Sequence, residues 1–308
     1  MNKIPVTQTV LESYRFTFGG LSKIIGLIWL PIIILTVGGY FMMAPEFSGM
    51  AAALESGDVS QQGTLLLREL GFEIVMIVLI AMIAVAISRE ILKPVQRPPF
   101  LRFALGPAEL RAVGGLIALF FLMIVFIFIL LFVGMVAGFA VHAGLPAGAA
   151  AGAKGVAGIG ALLGLIGFLA LVYVMVRLGF LLVPAIAMEG GFGLERSWQL
   201  TKGNFWRIVA VIVATLLPVL IVAMIIDLTI LGPDFFNPHL ELARDPAAQM
   251  RHSVEQMHQM SAQLPLMMGI GCLLAPFTYG MTFAPAAFAY RALMARAQSG
   301  KVVHSASV

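Results

Sequence analysis

The stretch AVGGLIALFFLMIVFIFILLFVGMVAGFAV (112–141) decides the fold, because it runs for 30 residues without one Asp, Glu, Lys or Arg. A bilayer core about 30 Å thick is crossed by roughly 20 apolar helical residues. The segment therefore reads as a transmembrane helix with length to spare, which implies tilt or continuation past the lipid. Five further apolar runs, nearly free of charge, lie at 24–43, 70–88, 156–183, 207–231 and 264–290. The whole composition agrees. The 308 residues are 60% hydrophobic and 11% charged, with a mean hydropathy of +1.00, whereas soluble domains carry about 25% charged residues. The expected fold class is all-α: a polytopic membrane protein forming a single membrane domain over residues 1–308, with six transmembrane helices in three hairpins.

With six spans both termini share one side, and basic residues in short loops mark the cytoplasm. One side collects Lys3, Arg15, Lys23, Arg89, Lys93, Arg97, Arg102, Arg111, Arg177, Arg196, Lys202, Arg207, Arg291, Arg296 and Lys301. The other holds Arg68, Lys154, Arg244 and Arg251. This division of 15 to 4 places both termini in the cytoplasm and leaves 44–69 and 232–263 as periplasmic loops. The net charge of +4 is thus a record of topology, and its scatter argues against a nucleic-acid partner. The amino-terminal segment is too long and too late to be a cleaved signal, so the first span is expected to stay.

Ahead of the first span, Thr9–Glu12 reads as a capping box. Val6, Val10, Tyr14 and Phe18 form an apolar face at four-residue spacing, which predicts an interfacial amphipathic helix over 5–19. A related unit stands before the fifth span. Aligning ESYRFTFGGLSKII (12–25) with RSWQLTKGNFWRIV (196–209) pairs Ser13 with Ser197, Tyr14 with Trp198, Thr17 with Thr201, Gly19 with Gly203, Lys23 with Arg207 and Ile24 with Ile208. Each unit is expected to be a cytoplasmic interfacial helix closed by a glycine in the left-handed conformation. Residues 98–110 have similar character before the third span, and 193–203 before the fifth.

The most specific stretch is PAIAMEGGFGLERSWQLTKGNFWRIVAVIV (184–213). Its acidic residue Glu189, the turn Gly190–Gly191, and the run Arg196, Ser197, Trp198, Thr201, Gly203, Trp206 and Arg207 resemble the signature of bacterial six-helix membrane proteins related to the membrane domain of glycerophosphoryl diester phosphodiesterases and to the YciC-like envelope family. The resemblance implies a bacterial inner-membrane protein. It does not bring catalysis: that activity belongs to a soluble barrel of about 250 residues, and the longest polar segment here, 232–263, is far shorter.

Inside spans, ionisable groups are functional candidates. Arg177 near the cytoplasmic end of the fourth span reads either as a snorkelling or structural arginine or as a substrate contact. Glu73 and Asp227 read as boundary residues. Trp198, Trp206 and Arg207 combine rings and charge as interfacial anchors do, and the same chemistry suits anionic headgroups. His239, His252, Glu255 and His258 with Met250, Met257 and Met260 hold ligand types that bind copper. The spacing of Met250, Val254, Met257 and Leu264, however, predicts an amphipathic helix instead. GxxxG pairs at Gly134/Gly138 and Gly160/Gly164 predict close packing of one hairpin, and Pro31, Pro218 and Pro276 predict kinks. No P-loop, nucleophile elbow, HExxH or CxxC occurs, so neither catalysis nor a cofactor is expected. The expected partners are membrane lipids, with a homodimer or another membrane protein as further possibilities. A non-enzymatic envelope protein acting through lipid interaction or scaffolding is the leading reading, and a small transporter or channel for a lipid or amphiphile the alternative.

Overall fold

The computed structural model describes residues 3–56, 62–93, 106–143, 150–232, 235 and 246–305, and among them there are helices and no strand. In order these are α1 (Val6–Gly19), α2 (Leu21–Ser56), α3 (Gln62–Leu92), α4 (Pro107–Ala143), α5 (Ala150–Gly179), α6 (Leu182–Glu189), α7 (Leu194–Thr201), α8 (Phe205–Leu231) and α9 (Pro246–Ser305). Six stretches, from α2, α3, α4, α5 with α6, α8 and α9, are long and apolar enough to cross a membrane.

The outer surface is apolar, unlike that of a soluble protein. The most apolar window of α4, with mean hydropathy 3.5, contains no buried residue, and Phe121, Phe128 and Phe132 stand outward. Thr9, Ser13, Thr17, Ser88, Glu109, Arg177, Ser197, Thr201, Asn204 and Thr215 are buried alongside an apolar core. Lipid tails are as apolar as leucine, so large apolar side chains gain little by turning inward. Close packing and internal hydrogen bonds hold such helices together. Three apolar clusters fill what remains: one between α2, α3 and α9, one between α3, α4 and α6, and one joining α5, α6, α8 and α9 around Ile4.

The amphipathic helix before the first span forms where expected, but its contacts lay it lengthwise along the bundle. The Lys3 carbonyl accepts from Arg296, Glu12 pairs with Arg291 at 2.7 Å, and Phe18 meets Phe277. These contacts follow α9 from Arg296 to Phe277, about 28 Å of helix at 1.5 Å per residue. The docking follows a rule. α1, which opens the α2–α3 hairpin, lies on α9; α7, which opens the α8–α9 hairpin, lies on α5. The start of α4, which opens the α4–α5 hairpin, is held on α3 by the ion pair Arg89–Glu109. Each opening segment rests on the second helix of the preceding hairpin, and the first closes the ring onto the last.

Two prolines show how α1 and α3 serve the spans. A helical proline lacks the N–H that would bond the carbonyl four residues earlier, and without water that carbonyl needs another donor. Pro218 frees the Ala214 carbonyl, which accepts the Tyr14 hydroxyl of α1 at 2.9 Å. Pro45 frees the Phe41 carbonyl, which accepts Arg68 Nη2 of α3 at 2.9 Å.

Several expectations are corrected. Residues 44–56 continue α2 and 62–69 begin α3, so 44–69 is not a loop throughout. Residues 246–263 are helical, as their three-residue and four-residue apolar spacing predicts, and are continuous with the last span in α9. Within the fourth spanning stretch the helix breaks after Gly179, and Leu182–Glu189 is a separate helix. Most of the segment 98–110 lies outside the described residues. Thr9 does not cap α1, which starts at Val6 after Pro5; it sits on the buried face with Ser13 and Thr17, while Phe18 is exposed. Small side chains are buried there because Thr17 abuts Gly280, where a Cβ would come within 2.8 Å of its hydroxyl. Gly19 is not left-handed, whereas Gly203 is, with φ 73°. Gly134 and Gly164 face open space, and α4 instead meets α5 closely at Gly167, where a Cβ would collide with Leu130.

The proline account predicts a coupled pair. Tyr14→Phe should cost roughly 0.5–1.5 kcal/mol of stability in micelles. The same change in a Pro218→Ala background, where α8 regains its own donor, should cost close to nothing. Equal costs in the two backgrounds, measured by denaturant unfolding, would refute the interlock.

Candidate functional site

Arg177 falls in the last turn of α5, where the negative end of the helix dipole favours a cation. Its residue is only 6% exposed. Nη2 donates to the Trp198 carbonyl at 2.6 Å, Nη1 to the Tyr173 hydroxyl at 3.0 Å and Nε to Thr201 Oγ1 at 3.3 Å. The guanidinium lies over the Trp198 ring, 3.7 Å from its centroid, with Tyr173 at 5.5 Å. Stacking of this kind favours a desolvated cation. In return the Arg177 carbonyl accepts from Ser197 Oγ at 2.9 Å, and Thr201 Oγ1 donates to the Ser197 carbonyl at 2.7 Å. The end of α5, which needs partners for its last carbonyls, is thus locked to α7 from both sides.

A second cluster lies at the turn between α6 and α7. Gly190 closes α6 in the left-handed conformation at φ 73°, and Gly193 at φ 74° opens α7. At Gly193 a Cβ would come within 2.6 Å of Ile186 Cγ1, so the turn admits no side chain. The tight turn brings Arg196 Nε to 2.9 Å from Glu189 Oε1, which also accepts the Tyr290 hydroxyl of α9 at 2.7 Å. The ion pair is more than a third exposed at both ends, and such pairs contribute little alone. Its consequence is positional, tying the turn to α9.

A third cluster joins α8 to the segment before α1. Gly203 turns the chain, Asn204 is buried, and its Oδ1 accepts the Ile4 N–H at 3.0 Å. Arg207 Nη1 donates to the Ile4 carbonyl at 2.8 Å. Trp206 stands apart, 77% exposed.

The sequence motif therefore divides. Ser197, Trp198 and Thr201 gather around Arg177; Glu189 and Arg196 meet at Tyr290; Arg207 reaches Ile4; Trp206 faces outward. Three of the six matched pairs of the two repeat units share full burial: Ser13 and Ser197, Thr17 and Thr201, and Ile24 and Ile208. Tyr173, Asn204, Tyr290, and the Arg89–Glu109 pair did not stand out in the sequence. Of these only Tyr173, one helical turn before Arg177, carried a signal through spacing. Among the described residues no group of three His, Cys, Asp or Glu side chains could hold a metal. His252, Glu255 and His258 lie along α9, and His239 lies outside the described residues.

With an apolar outer surface and six spanning-length helices, the chain is a helical polytopic membrane protein. Comparison with family models, with curated proteins and with solved structures finds no match.

The site separates structural from outward-facing motif residues. Thr201→Val, which removes a buried partner of Arg177, should cost about 1–2 kcal/mol. Trp206→Ala should stay within about 0.5 kcal/mol, as exposed substitutions do. Chemical unfolding of both variants in the same detergent measures the contrast, and equal losses would contradict the division.

Proposed function

We propose that this chain is a non-enzymatic protein of the bacterial inner membrane, with both termini in the cytoplasm, that supports envelope or lipid homeostasis by lipid interaction or scaffolding. In this reading it is kin to the membrane domain of glycerophosphoryl diester phosphodiesterases and to the YciC-like envelope family, whose signature residues 184–213 resemble. The observation that carries the reading is the state of Arg177. Its charge is spent on α7, and the motif's buried hydroxyls are spent on Arg177. A polar cluster used in this way holds helices together and offers no free group to a solute. The surface beside it is what a membrane anchor needs: Trp206 is outward, Phe192 is 71% exposed, and Lys202 is exposed near them in the chain. Rings with basic charge suit the boundary of an anionic leaflet.

Transport of a lipid or amphiphile is the second reading, favoured by an open apolar groove between α8 and α9 beside Pro218. Arg177 does not line that groove. The two readings separate in vesicles containing fluorescent phosphatidylglycerol. Lipid interaction or scaffolding predicts anionic lipid enriched in the purified protein and transbilayer movement no faster than in protein-free vesicles. Accelerated movement would replace it with transport. A reporter fused after Val308 should be active in the cytoplasm, and a periplasmic signal would overturn the orientation.

A further inference from the structure

Where α1 ends between α8 and α9, the two longer helices leave a groove of about 300 Å³. Tyr14 and Phe18 of α1, stacked with ring centroids 5.9 Å apart, close one end. Pro218 and Val222 form one wall and Leu274 and Phe277 the other. The hydroxyl of Tyr14 is already committed to the Ala214 carbonyl, so the groove presents carbon almost throughout.

We propose that this groove holds one acyl chain of an anionic phospholipid whose phosphate is bound by Arg15. The inference rests on the lipid-interaction reading above and gives it an address. The lining selects the occupant: an open groove walled almost entirely by carbon matches a hydrocarbon chain lying along it. Charge selects the lipid. Arg15 is exposed, lies one helical turn before Phe18, and makes no ion pair or hydrogen bond among the described residues. By contrast Arg207, Arg291 and Arg296 are engaged. Direction agrees with both. α1 runs from the end where Arg207 and Arg296 gather towards Phe277. Arg15 therefore stands on the basic side of the groove, and its long side chain can extend further towards that side. A lipid with its headgroup at that end lays its chain into the groove through the open side.

The test uses the full chain in vesicles of phosphatidylcholine with phosphatidylglycerol carrying a photoreactive group midway along one chain. After illumination, adducts are mapped by mass spectrometry. Adducts should concentrate on 218–223 and 274–281, severalfold above outward residues such as Phe128 and Phe168. Ala223→Trp, or Val222→Phe should the larger side chain prevent folding, should remove the groove adducts and spare those at Phe128. Arg15→Gln should lower them about fivefold, the factor expected for one basic residue at an anionic surface, and should lower labelling by a phosphatidylcholine probe, which carries the phosphate without net charge, by less. Uniform adducts, adducts indifferent to Ala223→Trp and Val222→Phe, or protein–protein crosslinks through the groove would overturn the proposal. If phosphatidylglycerol still copurifies selectively while the groove stays unlabelled, the groove falls and the broader lipid reading stands. If neither occurs, both fall.

Discussion

A polar group facing hydrocarbon has no water to fall back on, and this constraint orders the molecule. A carbonyl left open by a proline or by the end of a helix is stabilised by a donor from elsewhere in the chain. Tyr14 supplies one to α8, Arg68 supplies one to α2, and Ser197 supplies one to the end of α5. The segments between spans are therefore more than connections. They carry the side chains that complete the spans.

Two of those segments share a pattern. α1 and α7 bury hydroxyls at the same spacing, with Ser13 and Thr17 matching Ser197 and Thr201. They differ in what they grip. Thr17 meets Gly280, where the absence of a side chain lets the helices touch; Thr201 meets Arg177, where a guanidinium fills the space. Close backbone approach and a buried cation with full hydrogen bonding are alternative ways of fastening helices where apolar burial yields little. Together with Glu109 at the start of α4, these contacts join the three hairpins in a ring. The same wedge that fastens α1 between α8 and α9 holds those helices apart beyond its tip, which is how a fastening element comes to border an apolar groove.

Span number, helical class and the amphipathic segments were legible in the sequence because hydropathy and charge scarcity are local properties. Helix ends were not. Residues 44–56 and 246–263 lack the hydropathy of a span yet remain helical, since a helix needs only internal hydrogen bonds and can continue beyond the apolar window. The motif at 189–207 was legible as residues and opaque as a site. Nothing in the order of residues says that Glu189 meets Tyr290, 101 positions away, or that Ile4 meets Asn204, 200 positions away. At α1 the spacing of Val6, Val10, Tyr14 and Phe18 marked an amphipathic helix but left its packed face unread: small hydroxyl residues are buried there because close approach to Gly280 leaves no room for larger ones.

The role of Arg177 follows from this economy. A buried cation without a carboxylate partner persists only because carbonyl, hydroxyl and ring faces surround it, and those come from α5 and α7 together. Hydrogen–deuterium exchange of Arg177→Gln in micelles tests the claim most directly. The account predicts that protection is lost over Leu194–Thr201 and the last turn of α5, with α2 and α3 retaining theirs. Unchanged protection in α7 would contradict it.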